Sequence, residues 1–219
     1  MDFLLNKNTI NVKRKLSLTS SALEDSLLSI KYSGEKLKKD KDVENTRFPP
    51  FVISFYYKVF LKNNIPTEDE FIELYYKLNR FKIEGEYILF QNKKLLKEGI
   101  TARLLRTYPS LIRDLHFYLL LSESNLFDDV SYSSNTDYFK GLDLKIKYKG
   151  KEYFLSIHVG TERAKEYKSK KENRHDYSNI IQKIIKADFS KLKKLGDFYL
   201  FDNIHVNELI TELENDNRE

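Results

Sequence analysis

The stretch GLDLKIKYKGKEYFLSIHV, residues 141–159, decides how the chain folds. LDLKIKY (142–148) alternates apolar with charged residues, the period of two that a strand with one buried face requires. Lys149-Gly150-Lys151 supplies a turn and EYFLSIHV (152–159) a second strand, so the stretch reads as a β-hairpin. Asp143 stands at the start of the first strand. Ser156 and His158 stand two apart on the second and so share one of its faces.

Outward from the hairpin, DVSYSSNTDYFKG (129–141) predicts a loop or short strand, and TERAKEYKSKKENRH (161–175) a basic helix. YSNIIQKIIKADFSKLKKL (177–195) predicts a further helix carrying Ile180, Ile181, Ile184 and Ile185. DFYLF (197–201) predicts a short buried strand, and NIHVNELITELEND (203–216) a closing amphipathic helix.

The front half is mainly helical. Residues 1–16 predict a frayed arm or a short edge strand. LTSSALEDSLLSIKYSGEKL (18–37) predicts a helix capped by Thr19 or Ser20, with Leu23, Leu27, Ile30 and Leu37 on its apolar side. KKDKDVENTRFPP (38–50) reads as a loop and as a boundary, dividing an N-terminal arm and helix (1–47) from the rest of the chain (48–219). FVISFYYKVFLKN (51–63) predicts a buried helix, with a strand as the competing reading. PTEDEFIELYYKLNRF (66–81) is a clear amphipathic helix with acids in its first turn. EGEYILFQN (84–92) predicts one strand, and residues 93–124 predict two helices with Pro109 near the start of the second. The fold class is therefore α+β: a mainly helical front half, then a small mixed sheet flanked by helices.

Composition bounds the chemistry. The 219 residues are 41% hydrophobic and include 15 Phe and 15 Tyr, a content that folds into a core. The absence of cysteine excludes disulfides, thiolate metal sites and a cysteine nucleophile, so any metal is held by oxygen or imidazole. No apolar run approaches the roughly 20 residues of a bilayer span, which predicts a soluble, cytoplasmic protein. With only 7 glycines the chain lacks a glycine-rich phosphate loop, and it has neither a Gly-x-Ser-x-Gly elbow nor a His-Glu-x-x-His pair.

The net charge of +5 arises from 38 basic and 33 acidic residues, so clustering matters more than the sum. Residues 161–175 gather Arg163, Lys165, Lys168, Lys170, Lys171 and Arg174, with Tyr167 and His175 between them. Such a segment holds phosphates and stacks on bases, or else forms a solvated helix face; both readings stand. Lys7, Lys13, Arg14 and Lys15 add basic charge at the N-terminus. Arg103, Arg106 and Arg113 flank Pro109 and read as the wet side of a packed helix rather than a DNA-reading one. His116 and His205 read as structural.

The element order around the hairpin, with Gly141-Leu142-Asp143 leading into it, resembles the core of the PD-(D/E)XK nuclease superfamily, which includes many restriction endonucleases. The resemblance spans about residues 108–214. It implies that Asp143 is a ligand to catalytic Mg²⁺, and that Ser156 and His158 occupy the second-strand site positions. Ser156 stands where the family has a carboxylate and His158 where it has a lysine; Glu162 or Asp137 would then complete the carboxylates, Thr161 support them and Lys165 provide the cation. Arg163, Lys168, Lys170, Lys171 and Arg174 would contact the phosphates of DNA. The implied activity is metal-dependent DNA cleavage in restriction or phage defence, by a homodimer. Two alternatives remain: a DNA-binding or regulatory module that keeps the fold without catalysis, and a protein-interaction or assembly factor.

Overall fold

The computed structural model describes residues 11–12, 16–133, 141–159 and 180–216, and the architecture is α+β. Strand β1 (Asn11–Val12) is a short edge strand. Helix α1 (Ser20–Ser29) starts where the Thr19 hydroxyl accepts from the Ala22 N–H at 3.1 Å, and it buries Leu23 and Leu27. The stretch expected as a loop contains a short helix, α2 (Lys41–Asn45), because the Asp40 carboxylate accepts from the Val43 N–H at 2.9 Å and caps it. Residues Phe51–Lys62 form helix α3, not a strand. Helix α4 (Glu68–Leu78) opens with a full capping box between Thr67 and Glu70.

Two expectations in the middle of the chain are corrected. Where one strand was expected there are three, β2 (Lys82–Glu84), β3 (Tyr87–Phe90) and β4 (Lys93–Leu96), in an antiparallel meander. Gly85 (φ 60°) makes the first reversal, and Gln91 and Asn92 (φ 49° and 61°) make the second. Where two helices were expected there is one, α5 (Lys97–Glu123), which runs through Pro109. A proline inside a helix costs about 3 kcal/mol. Leu104, Leu105 and Tyr108 before it and Leu111, Ile112 and Leu115 after it are all buried. Burial of one such side chain contributes about 1.5–3 kcal/mol, so continuous packing outweighs the break. From Leu115 to Leu121 every residue of α5 is buried, as in a helix enclosed on all sides.

The hairpin lies within a five-stranded mixed sheet. Strands β5 (Asp129–Ser133), β6 (Leu144–Tyr148) and β7 (Lys151–Val159) form an antiparallel meander, with β1 outside β5. The fifth strand, β8 (Gln182–Ala187), lies beside β7 and parallel to it, and it overturns the helix expected over 177–195. The paired isoleucines fit both periods, but burial follows the period of two: Ile185 and Ala187 turn inward, Ile184 and Lys186 outward. Asp188 ends the strand by accepting from both the N–H and the hydroxyl of Ser190. After Asp188 the expected helix is replaced by a turn and strand β9 (Lys193–Leu195), which pairs with β10 (Phe198–Leu200), and residues 177–179 lie outside the described residues. A parallel pair needs a crossover of a dozen or more residues, and residues 160–181 supply that length.

Helix α6 (Asn203–Asp216) follows β10 and buries Val206, Leu209 and Leu213. One continuous core joins α5 to the inner face of the sheet, where Leu144, Ile146, Tyr153 and Leu155 point, and to Leu23, Val43, Phe55 and Phe71 of the helical half. Tyr132 of β5 stacks on Tyr56 of α3 at 3.9 Å between ring centroids, tying sheet to helices. The other face of the sheet carries the candidate residues.

Candidate functional site

Strand register gathers the hairpin candidates. In the β6–β7 pairing Leu144 faces Leu155, so Asp143, one residue before, stands level with Ser156 and on its face. His158 follows on the same face two residues on. Ser156 is buried, and Asp143 and His158 are half-buried. The Ser156 hydroxyl lies 2.9 Å from His158 Nε2, a hydrogen bond that ties the two together.

Asp143 has a structural task besides. β6 reaches only to Leu144, opposite Leu155, while β7 runs on to Val159. The Asp143 N–H donates to the Leu155 carbonyl at 2.8 Å and extends the ladder by one step. Beyond it the Ile157 N–H has no partner from β6, and Asp143 Oδ2 accepts that N–H at 2.5 Å. The carboxylate thus caps the strand where its neighbour stops.

On the far side of β7, the parallel register sets Ser156 opposite Ile184 and His158 opposite Lys186. Lys186 is exposed and on the candidate face. Sequence reading missed it because 177–195 read as a helix, where position 186 bears no fixed relation to His158. The alternation that marks the strand is in burial, Ile185 and Ala187 in and Ile184 and Lys186 out, and the sequence, with isoleucine on both faces, carries no signal that finds it.

Mg²⁺ takes oxygen ligands and is commonly held by one or two carboxylates, with water and substrate phosphates filling the rest. Of such ligands this face offers, among the described residues, the single carboxylate of Asp143, whose Oδ2 already accepts the Ile157 N–H, while His158 presents nitrogen. No group of three or more His, Asp or Glu side chains able to enclose a metal occurs among the described residues. Thr161, Glu162, Arg163, Lys165, Lys168, Lys170, Lys171 and Arg174 lie outside the described residues, as do Asp137, Lys7, Lys13, Arg14 and Lys15.

Arg103, Arg106, Arg113, His116 and His205 are bound into the fold. Arg103 donates to the carbonyls of Val43 at 2.5 Å and Thr46 at 2.7 Å, and Arg106 pairs with Glu44. These arginines lock α2 onto α5. Arg113, expected on the wet side of its helix, is buried with its guanidinium 6.0 Å from the centre of the Phe189 ring, because α5 continues into the core instead of breaking at Pro109. His116 is buried, with Nε2 3.1 Å from Glu24 Oε1, and Lys193 reaches the other Glu24 oxygen at 2.6 Å. Burial pushes the His116 imidazole below its ordinary value against the pull of the hydrogen bond and charge of Glu24. His205 is buried with Nδ1 2.8 Å from Asp202 Oδ1.

No helix among the described residues is long and apolar enough to cross a membrane. Comparison of the chain with protein-family models, with curated proteins and with solved structures finds no match.

Proposed function

We propose that this chain acts on DNA in the cytoplasm as a metal-dependent endonuclease with a restriction-endonuclease-like core, in restriction or phage defence. The observation that carries the proposal is register: Asp143, Ser156 and His158 share one face at the end of a hairpin whose second strand is followed by a parallel neighbour. In this account Asp143 and Glu162 would hold Mg²⁺. The ion would polarise a phosphodiester and lower the pKa of a bound water. Imidazole exchanges protons near neutral pH, which suits His158 to accept one, with the Ser156 hydroxyl holding Nε2 in place. Lys165 supplies further positive charge at the site, while Arg163, Lys168, Lys170, Lys171 and Arg174 follow the DNA backbone. A homodimer would present two such faces to the two strands of a duplex.

The test is incubation of the purified protein with supercoiled plasmid and with duplex oligonucleotides in Mg²⁺, Mn²⁺ or EDTA. Cleavage with the metals and none in EDTA is expected; intact DNA under every condition would overturn the endonuclease.

Two features favour a second account, a DNA-binding module without catalysis. Ser156 offers a hydroxyl, not a carboxylate, and an Asp143 oxygen is already engaged by the Ile157 N–H. Salt-sensitive DNA binding without cleavage would single out this account.

A further inference from the structure

We infer that Lys186 is the cation by which the Asp143–Ser156–His158 face holds a backbone phosphate. The inference rests on the DNA-acting function proposed above and adds a contact from a strand that the hairpin alone does not include. Residues level with each other on neighbouring strands project from the same face about 5 Å apart, so Lys186 stands beside His158. Among the described residues strand β8 is the last in its sheet, with no further strand flanking Lys186 on its other side.

On the face that carries Ser156 and His158, the other lysines stand beside acids. Lys145 is 2.9 Å from Glu152, and Lys183 is bonded to Glu212 at 2.9 Å and Asp216 at 2.5 Å. Lys147 is exposed, but Asp129 on β5 and Glu152 on β7 stand level with it on either side. Lys186 has no acid in register and no ion pair among the described residues. Asp188, Glu208 and Glu212 share a cleft of about 260 Å³ with it, yet none comes within ion-pair distance. Two of those acids are engaged by other lysines, Glu212 by Lys183 and Glu208 by Lys191, which lines the same cleft. An exposed ammonium with no ion-pair partner among the described residues, level with an imidazole, suits a phosphate oxygen, which it meets as a point charge.

A phosphate contact releases counterions, and each one contributes about 0.9 to the slope of log K against log salt for duplex DNA. The experiment is fluorescence anisotropy of a labelled duplex titrated with protein over a range of NaCl concentrations, for the wild type, Lys186→Gln, Lys186→Arg and Lys147→Gln. The expected result is a slope about 0.9 shallower in Lys186→Gln and unchanged in the other two variants. An unchanged slope in Lys186→Gln, or an equal loss in Lys147→Gln, overturns the assignment while leaving the DNA-acting function intact. A wild type that does not bind duplex DNA overturns that function itself and the Lys186 contact with it.

Discussion

Replacing Asp143 by alanine removes two things at once, a negative charge on the candidate face and the acceptor for the Ile157 N–H, and the two separate by choice of variant. A hydrogen bond to a charged group contributes about 1.5–3 kcal/mol, and an unmet donor at a half-buried strand end forfeits most of it. Asp143→Ala should therefore lower unfolding stability by about 2 kcal/mol. For a chain of this length 1 kcal/mol moves the thermal midpoint by about 2–4 °C, so the midpoint should fall by about 4–8 °C. Asp143→Asn keeps a side-chain carbonyl in the same place, loses only the charge, and should cost about 1 kcal/mol or less. Urea unfolding followed by circular dichroism measures both, with equal m-values as the check that the comparison is fair. If Asp143→Ala is no less stable than Asp143→Asn, the carboxylate does not cap β7. Asparagine is then the substitution that isolates the chemistry of this position.

Three further outcomes follow from the packing. Gly99→Ala should destabilise by about 1–3 kcal/mol despite alanine's better helix propensity, because the new methyl would meet the Asp40 Cβ at 2.6 Å and Val43 Cγ2 at 3.0 Å; a gain in denaturant midpoint would contradict the close contact of α2 with α5. Thr67→Ala should cost about 1 kcal/mol through loss of the capping box, read by the same denaturation, and a change near zero would contradict it. Acidification should weaken the fold in two stages. Burial holds His116 below its ordinary 6.5, so as pH falls through 6.5 the unfolded chain takes the proton first and stability declines until the folded His116 is also charged. Burial would raise Glu24, but the hydrogen bonds and charges of Lys193 and His116 outweigh it and hold the carboxyl below 4.5; its contribution is present above 4.5 and is lost as pH falls through the lowered value. Stability measured by denaturation across this range should slope less just below pH 6.5 in His116→Gln than in the wild type, and identical slopes would contradict the assignment.

The hairpin was legible because its period of two is clean and Lys149-Gly150 marks the reversal; α4 was legible because its acids and Thr67 sit where a helix start needs them. Strand β8 was not, since the spacing of Ile180, Ile181, Ile184 and Ile185 fits a helical stripe equally well and no Gly or Pro interrupts it. Only pairing with β7 decides between the two. Helix α5 was split at Pro109 because local propensity is visible in a sequence, whereas the core on both sides of that proline is not. At the candidate site the shared face of Ser156 and His158 followed from period alone. The engagement of Asp143 with Ile157 depends on where β6 stops, and the adjacency of His158 to Lys186 depends on a parallel register, neither of which a single strand encodes.

The most direct measurement of the central claim is DNA cleavage with Mg²⁺ by the wild type, Asp143→Asn and His158→Ala side by side, each first shown to be folded. The account predicts cleavage by the wild type and at least a hundredfold loss in both variants, the lower end of what removing a general base produces. Cleavage that persists at the wild-type rate in Asp143→Asn would contradict it, because the activity would then belong to some other part of the molecule.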